Sequence, residues 1–263
     1  MSTTKLNPDR FTEKPIAVLF DFDNTLYAYG PPNEAGMLAV RDKAIKKTGV
    51  RSSEFDAAFD KGRSEIKKQL VNTASSHSRL LYFQRTLELL GLRSQIQLSL
   101  EFEQTFWASY LATMELREGV IDFLDQLARA NIRKVLITDL TSQIQFRKLI
   151  YMGLDLRFEF IVTSEESGKD KPHRSGFDLA MLKLNSQEDS IEANAHAGNI
   201  WMIGDNVKSD LEGAKHAINA TTLALKSEIG NHKGNPAIDM IFESFEDLQE
   251  FVSDKGWNGI EDA

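Results

Sequence analysis

The chain begins its hydrophobic pattern with one uninterrupted apolar run. Residues 16–20 are apolar and lead directly into Asp21 and Asp23, which Phe22 separates. Such a run, preceded by Pro15, predicts a strand buried on both faces, as in a parallel sheet covered by helices. Ligands of these sheets bind beyond the carboxyl ends of the strands, where the two carboxylates would lie. Taken alone, the two acids could equally begin a solvated loop.

After this strand the apolar positions recur at helical spacing. Gly30, Pro31 and Pro32 are expected to stop both strand and helix and to form a linker. The next stretch has no predicted strand and contains four predicted helices, at 34–47, 53–70, 78–90 and 94–114. This run of predicted helices without a strand indicates an all-α insertion, which we assign to residues 31–116.

Beyond residue 116, predicted helices and strands alternate, which indicates parallel βα units. The predicted strands are 133–138, 160–163, 200–203, 221–225 and 238–242. The predicted helices are 120–130, 143–152, 175–184, 209–218 and 245–252, with a polar loop over 185–198. The pattern therefore predicts an α/β protein with a Rossmann-like, doubly wound parallel sheet. Its core would comprise residues 15–30 and 117–263, and the inserted helices would form a separate domain.

Composition narrows the function classes. The 263 residues are 41% hydrophobic and 27% charged, with a net charge of -8, so neither nucleic acid nor an anionic membrane is an expected partner. The absence of cysteine excludes disulfides, thiolate nucleophiles and cysteine-ligated metals. Residues 1–14 are polar and resemble neither a signal peptide nor an anchor, so we expect a frayed tail on a cytoplasmic protein. Nothing in the sequence indicates an oligomeric state.

Three further predicted strands are followed by polar residues. Thr138 and Asp139 end the second strand, where a hydroxyl and backbone amides could bind phosphate. Lys171 precedes a proline in a loop, and Asp205 follows a strand and Gly204, with Asp210 near a helix start. Taken one at a time, most of these residues have an ordinary structural explanation: Thr138 could be a cap, Lys171 a solvated loop residue and Asp210 a helix cap. In the insertion, His77 and Arg79 open the third helix, either as solvated residues or as substrate contacts.

These motifs in this order resemble those of the haloacid dehalogenase superfamily, in its phosphatase branch. The first motif is Asp21 to Thr25, the second is Thr138, the third is Lys171, and the fourth is Asp205 with Asp210. The resemblance covers nearly the whole chain from residue 16. It also implies that the insertion between the first and second motifs is a helical cap, which would close over the site and select the substrate.

The resemblance implies a role for each motif residue. Asp21 would attack phosphorus to form an aspartyl phosphate, and Asp23 would protonate the leaving oxygen and then activate water. Mg²⁺ would be bound by Asp21, the backbone carbonyl of Asp23, Asp205 and Asp210, the last through water. Thr138 and Lys171 would bind the phosphate oxygens. On this view Asp21 stays ionised, whereas Asp23 must be able to hold a proton.

The expected substrate is a small phosphorylated metabolite, such as a sugar phosphate. Asp139 stands where many relatives have asparagine, and we expect it to point away from the phosphate, toward a substrate hydroxyl or amine or a backbone amide. A phosphomutase remains the nearer alternative, and a dehalogenase is disfavoured because those enzymes typically lack the second aspartate. A phosphorylatable receiver-like module would also group acids, a threonine and a lysine at strand ends, but without a helical insertion or an Asp-x-Asp pair on its first strand.

Overall fold

A computed structural model describes residues 3–186, 200–230 and 234–257. The polar loop predicted for 185–198 lies outside these residues, apart from its first two positions. Within the described ranges, one sheet contains seven strands: β1 (Thr4–Lys5), β2 (Ala17–Phe20), β3 (Arg133–Thr138), β4 (Phe160–Thr163), β5 (Ile200–Gly204), β6 (Thr221–Leu225) and β7 (Met240–Phe242).

The strand order places the first predicted strand, β2, in the interior of the sheet between β5 and β3. The order is β1-β7-β6-β5-β2-β3-β4, and every neighbouring pair is parallel except β1 with β7. From β2 the chain runs outward through β3 and β4 and then returns to the other side of β2 to form β5. The order therefore reverses at β2, which is where ligands of open α/β sheets bind. The predicted fold class is confirmed.

Helices occupy the connections between the strands. They are α1 (Gly30–Thr48), α2 (Ser52–Gln69), α3 (Arg79–Leu89), α4 (Ile96–Ala112), α5 (Val120–Arg129), α6 (Ser142–Tyr151), α7 (Ser164–Ser167), α8 (Arg174–Asn185), α9 (Gly213–Ile218) and α10 (Phe245–Asp254). A π-helical turn, Val207–Glu212, leads into α9. None of the helices in the described ranges has the length and apolar character needed to cross a membrane.

The start of α1 differs from the prediction. Gly30, Pro31 and Pro32 form its first turn and not a linker before it. Proline is tolerated there because the first N–H groups of a helix have no intrahelical acceptor, and its fixed φ already suits the helix.

Two apolar clusters cover the two faces of the sheet. On β2, Val18 and Phe20 belong to one cluster, whereas Ala17 and Leu19 belong to the other. This alternation follows from the two-residue period of a strand, which sends successive side chains to opposite faces. Burial on both faces explains why β2 is apolar at every position, and it makes Asp21 the first polar side chain at the strand end.

The helices α1 to α4 follow β2 and pack mainly on one another, α1 against α4 and α2 against α3. The chain leaves the sheet for these helices and returns from them at adjacent points. Tyr27 forms an antiparallel bridge with Leu116, and the Arg117 N–H donates to Leu26 O over 2.9 Å.

The prediction of a frayed N-terminal tail is wrong. Thr4 and Lys5 pair with Ile241 and Met240 of β7, and Phe11 is fully buried. The Phe11 ring lies edge-on to those of Trp201 and Phe251, with centroids 5.6 Å apart in both cases. A two-residue edge strand and one buried aromatic residue are too short to produce a hydrophobic period, so the pattern did not reveal them.

Candidate active site

Asp21 lies directly beyond β2 and is held on several sides. Its backbone N–H donates to Ile203 O on β5 over 2.9 Å. One carboxylate oxygen lies 2.6 Å from Lys171 Nζ, and the other accepts a hydrogen bond of 2.8 Å from the Thr25 hydroxyl. Only 6% of the residue is exposed. The Asp21 side chain is therefore fixed in one orientation at the carboxyl end of β2.

Asp205 and Asp210 complete a cluster of three carboxylates with Asp21, with one oxygen of each lying within 4.8 Å of the others. Burial raises the pKa of Asp21 well above its usual value, and the neighbouring acids reinforce that effect despite Lys171. Burial, followed by the charge of Asp210, raises the pKa of Asp205 to about 6. The cluster thus carries more negative charge than one lysine balances.

The donor set fits Mg²⁺. Three carboxylates converge, no histidine of the described residues joins them, and hard oxygen donors are the ligands that this ion prefers. A divalent cation would also relieve the repulsion that raises the pKa values of Asp21 and Asp205. The carboxylate of Asp23 is not one of the three that converge, and the predicted contact of its backbone carbonyl with the ion stays a prediction.

Lys171 is buried among these acids. Its Nζ lies 2.6 Å from Asp21 and 2.7 Å from Asp210, and it donates to Ile137 O over 3.0 Å. The Lys171–Pro172 peptide bond is cis. Burial alone would lower the pKa of Lys171, but the surrounding carboxylates raise it well above its usual value, so the side chain is a permanent cation.

Asp139 supports the lysine loop. Its Oδ1 accepts a hydrogen bond of 3.0 Å from the Lys171 backbone N–H, which is one of the contacts expected for an acid in place of asparagine. Burial raises the pKa of Asp139 to about 6, although Lys171 counteracts this effect. Asp139 also lines the cavity described below.

Asp23 is bound by two residues of α6 that the sequence analysis missed. Lys148 Nζ lies 2.6 Å from Asp23 Oδ1, and Gln145 Nε2 donates to Asp23 Oδ2 over 2.8 Å. Gln145 also donates to the Thr138 hydroxyl oxygen over 2.6 Å, while the Tyr27 hydroxyl donates to Asp23. Gln145 and Lys148 are three residues apart and both buried. In the sequence, the signal that could have identified Gln145 and Lys148 as site residues is that both are polar yet lie on the apolar face of an amphipathic helix.

The pKa values of the two acids shift in opposite directions. Burial opposes ionisation of Asp23, but the charge of Lys148 and hydrogen bonds from Lys148, Tyr27 and Gln145 outweigh it and lower the pKa of Asp23. These contacts favour the ionised form of Asp23, whereas burial and the neighbouring acids favour the protonated form of Asp21, and which of the two holds a proton during catalysis stays a prediction. The shifts are opposite because Asp21 has acidic neighbours and Asp23 has a lysine of its own.

One cavity of about 590 Å³ joins these groups to the inserted helices. Its lining includes every site residue predicted from the sequence: Asp21, Asp23, His77, Arg79, Thr138, Asp139, Lys171, Asp205 and Asp210. His77 lies 3.1 Å from Asp170 Oδ2, beside the lysine loop. The lining also includes Asn24, Tyr29, Arg63, Trp107 and Lys148, which were not predicted. The structure brings the predicted residues together, and their individual roles stay predictions.

The chain is similar to a family of hydrolases and to two phosphatases of known activity. The family model described as haloacid dehalogenase-like hydrolase matches residues 17–217. A ribulose-1,5-bisphosphate 5-phosphatase from Halopiger xanaduensis is 36% identical over 199 residues, which cover 75% of this chain and 80% of that protein. A glyceraldehyde 3-phosphate phosphatase from Methanopyrus kandleri is 26% identical, covering 76% and 80%.

Solved structures share the fold. The crystal structure of a phosphatase from Thermococcus onnurineus superposes with a TM-score of 0.66 at 22% identity, covering 91% of this chain and 98% of that one.

Proposed function

The chain belongs to the haloacid dehalogenase-like hydrolases, and from this premise we propose that it is a Mg²⁺-dependent phosphatase of a small phosphorylated metabolite. The observation that carries the proposal is the position of Asp21. It lies at the end of β2, beside Lys171 and within the three-carboxylate cluster. The relatives named for phosphatase activity toward sugar phosphates support the substrate class. A cytoplasmic location stays a prediction from the sequence.

In the first step an oxygen of the Asp21 carboxylate attacks phosphorus, and the bond from phosphorus to the leaving oxygen breaks. The Lys171 ammonium and the Thr138 hydroxyl bind the nonbridging phosphate oxygens, where negative charge is distributed during transfer. Asp21, Asp205 and Asp210 would hold Mg²⁺, which supplies positive charge that draws the phosphate dianion toward the nucleophile.

Asp23 moves the protons. The charge of Lys148 and the hydrogen bonds from its neighbours lower the pKa of Asp23, and a bound phosphate dianion would raise it because like charges oppose ionisation. The protonated Asp23 then gives its proton to the leaving oxygen. In the second step the carboxylate of Asp23 takes a proton from water as the water oxygen attacks the aspartyl phosphate. The bond between phosphorus and Asp21 breaks, and inorganic phosphate leaves.

The inserted helices contribute the other wall of the site. We assign α1 to α4 as a cap, because Arg63, His77, Arg79 and Trp107 line the cavity opposite the strand ends. Closure of these helices excludes water from the phosphoryl group while leaving room for the hydrolytic water.

Hydrolysis of p-nitrophenyl phosphate tests the proposal. We expect release of inorganic phosphate that requires added Mg²⁺ and is abolished by a chelator and by Asp21→Asn. The Asp42→Asn variant removes an exposed carboxylate of α1 and serves as the matched control, with activity unchanged. Activity that survives both the chelator and Asp21→Asn would refute the proposal. A stable aspartyl phosphate without turnover would identify a receiver-like module, and phosphate transfer to a second sugar hydroxyl would identify a mutase.

A further inference from the structure

Three cations near the active-site cavity have no acidic partner. Arg63 and Lys67 lie one turn apart on α2, and Arg79 begins α3. In the part of the chain that the structure describes, none of the three has a carboxylate oxygen within 4.0 Å. Other arginines of these helices do form ion pairs, namely Arg41 with Asp56, Arg51 with Glu54 and Arg85 with Glu65. Among the arginines of α1 to α4, which the structure describes throughout, Arg63 and Arg79 are thus the two without an ion pair, and both line the active-site cavity.

The three cations repel one another. Burial lowers the pKa of Lys67, and the charges of Arg63 and Arg79 lower it further. The charges of Asp170 and Asp139 counteract this effect. An arrangement of like charges costs stability unless a counterion binds among them, so the cluster favours an anionic ligand.

Arg79 is fixed in place before any ligand binds. Its guanidinium donates to His77 O over 3.1 Å and to the Tyr29 hydroxyl over 2.5 Å. It also lies over the rings of Phe106 and Trp107, at 5.0 and 5.8 Å from their centroids. Its partners are neutral, so its positive charge is left uncompensated. A preformed guanidinium loses little conformational freedom when it binds a phosphate or carboxylate.

The cavity is large enough to separate this cluster from the site of phosphoryl transfer. Its volume of about 590 Å³ is in the range that holds an entire small ligand. Asp21 and Lys171 line one part of it, and Arg63 and Arg79 come from the inserted helices. The same two arginines also line a neighbouring cavity of about 460 Å³ together with Asp60, which lies beyond ion-pair distance.

On the basis of the proposed function, we infer that the substrate carries a second anionic group, a phosphate or a carboxylate, which binds to Arg79 and Arg63 while Asp21 attacks the first phosphate. The competing explanation is that the arginines bind the transferred phosphate itself. The two explanations differ in which substrates depend on the arginines.

Matched substrates separate these explanations. Ribulose 1,5-bisphosphate and ribulose 5-phosphate differ only in a second phosphate, and 3-phosphoglycerate differs from glycerol 3-phosphate chiefly in a carboxylate. For the wild type we expect kcat/KM to be at least about tenfold higher for one bis-anionic substrate than for its partner. Arg79→Gln and Arg63→Gln should each remove most of that preference through KM. The pair that shows the preference identifies the second group as phosphate or carboxylate.

Two controls accompany the comparison. Lys61→Gln removes an exposed charge from α2 two residues before Arg63 and should leave all four kcat/KM values unchanged. In both arginine variants, hydrolysis of p-nitrophenyl phosphate, which has no second anion, should fall several times less than hydrolysis of the preferred bis-anionic substrate. This activity also reports that each variant is folded.

The outcomes distinguish this inference from the proposed function. Wild-type hydrolysis of p-nitrophenyl phosphate without preference for either bis-anionic substrate overturns the inference and leaves the phosphatase intact. An equal loss on all substrates in Arg79→Gln also overturns it, because the arginine then acts on the transferred phosphate. Absence of any phosphatase activity in the wild type overturns the proposed function itself.

Discussion

The Lys148 ammonium lies 2.6 Å from Asp23 Oδ1 and 5.4 Å from the centroid of the Tyr110 ring, with only 1% of the lysine residue exposed. Because apolar and aromatic side chains exclude water from this ion pair, neither charged group can exchange its partner for water, and the pair keeps one geometry. Lys148 and Gln145 together hold the Asp23 carboxylate in one orientation toward the cavity.

We expect Lys148→Met to impair proton transfer to the leaving group. The kcat for an alkyl phosphate should fall by about 10- to 100-fold, whereas the kcat for p-nitrophenyl phosphate should fall much less because its leaving oxygen needs no proton. Lys183→Met, which removes a partly exposed lysine paired with Glu166 on α7, is the control. Equal losses on both substrates would show that Lys148 supports the fold and not Asp23.

Gly204 should not tolerate a side chain. A Cβ atom at this position would lie 2.6 Å from Asp210 Cβ and Oδ2, so Gly204→Ala must displace a carboxylate of the proposed Mg²⁺ site. We expect kcat/KM to fall by at least about tenfold, since small displacements in an active site have large effects. Steady-state kinetics at several Mg²⁺ concentrations measure the loss.

Gly176→Ala is the matched control. Its added Cβ would meet Ile137 Cγ2 at 3.6 Å, an ordinary contact, so activity should be unchanged. Unimpaired activity in Gly204→Ala would contradict the close approach of Asp210 to the turn after β5.

Asp139 should make stability depend on pH. Its pKa is raised to about 6 in the folded protein, so the stability linked to its protonated form is fully present below about pH 4 and is lost as the pH rises through 6. Asp139→Asn removes this dependence. Its free energy of unfolding relative to wild type should therefore rise by on the order of 1–3 kcal/mol between pH 4 and 7. Urea titrations in chelator measure it, and a difference that does not vary with pH would contradict the raised pKa.

The same residue should matter to catalysis through its acceptor oxygen. Asparagine retains an oxygen for the Lys171 N–H, whereas Asp139→Ala leaves that donor without its 3.0 Å partner. We expect Asp139→Ala to lower kcat several times more than Asp139→Asn does. If the two variants are equally impaired on every substrate, the negative charge is what matters. A change in substrate preference in Asp139→Asn would instead support a substrate contact.

The N-terminal segment should contribute to stability. Phe11 is fully buried against Trp201 and Phe251, so Phe11→Ala should lower the free energy of unfolding by about 3–5 kcal/mol. Leu6→Ala, at a position that is 43% exposed, should change it by less than about 1 kcal/mol. Equal effects in chemical denaturation would mean that residues 3–11 are not part of the folded core.

The sequence predicted those parts of the site that follow from strand ends. Asp21, Thr138 and Asp205 each follow a buried apolar run, and parallel strands bring such ends to one edge of the sheet. The family and the fold class that these residues indicated are confirmed.

Other features depend on tertiary contacts that local patterns do not encode. Lys148 and Gln145 lie inside a helix, where a polar residue is usually solvated, and only packing of α6 directs them to Asp23. The same holds for Arg63, whose position over the cavity depends on how α2 packs. The opposite pKa shifts of Asp21 and Asp23 also depend on neighbours far apart in the sequence, such as Asp210 and Lys148.

The two adjacent chain crossings at Tyr27–Leu116 and Leu26–Arg117 have a mechanical consequence. Because both connections to the sheet lie side by side, the inserted helices could rotate about the line that joins the two connections, but they could not shift as a whole relative to the sheet. This axis passes within a few residues of Asp23, whose partner Tyr27 forms one of the crossings. Because points close to an axis move least, any swing of α1 to α4 that admits a substrate would leave Asp23 in contact with Lys148 and Gln145 of α6 while the cavity opens.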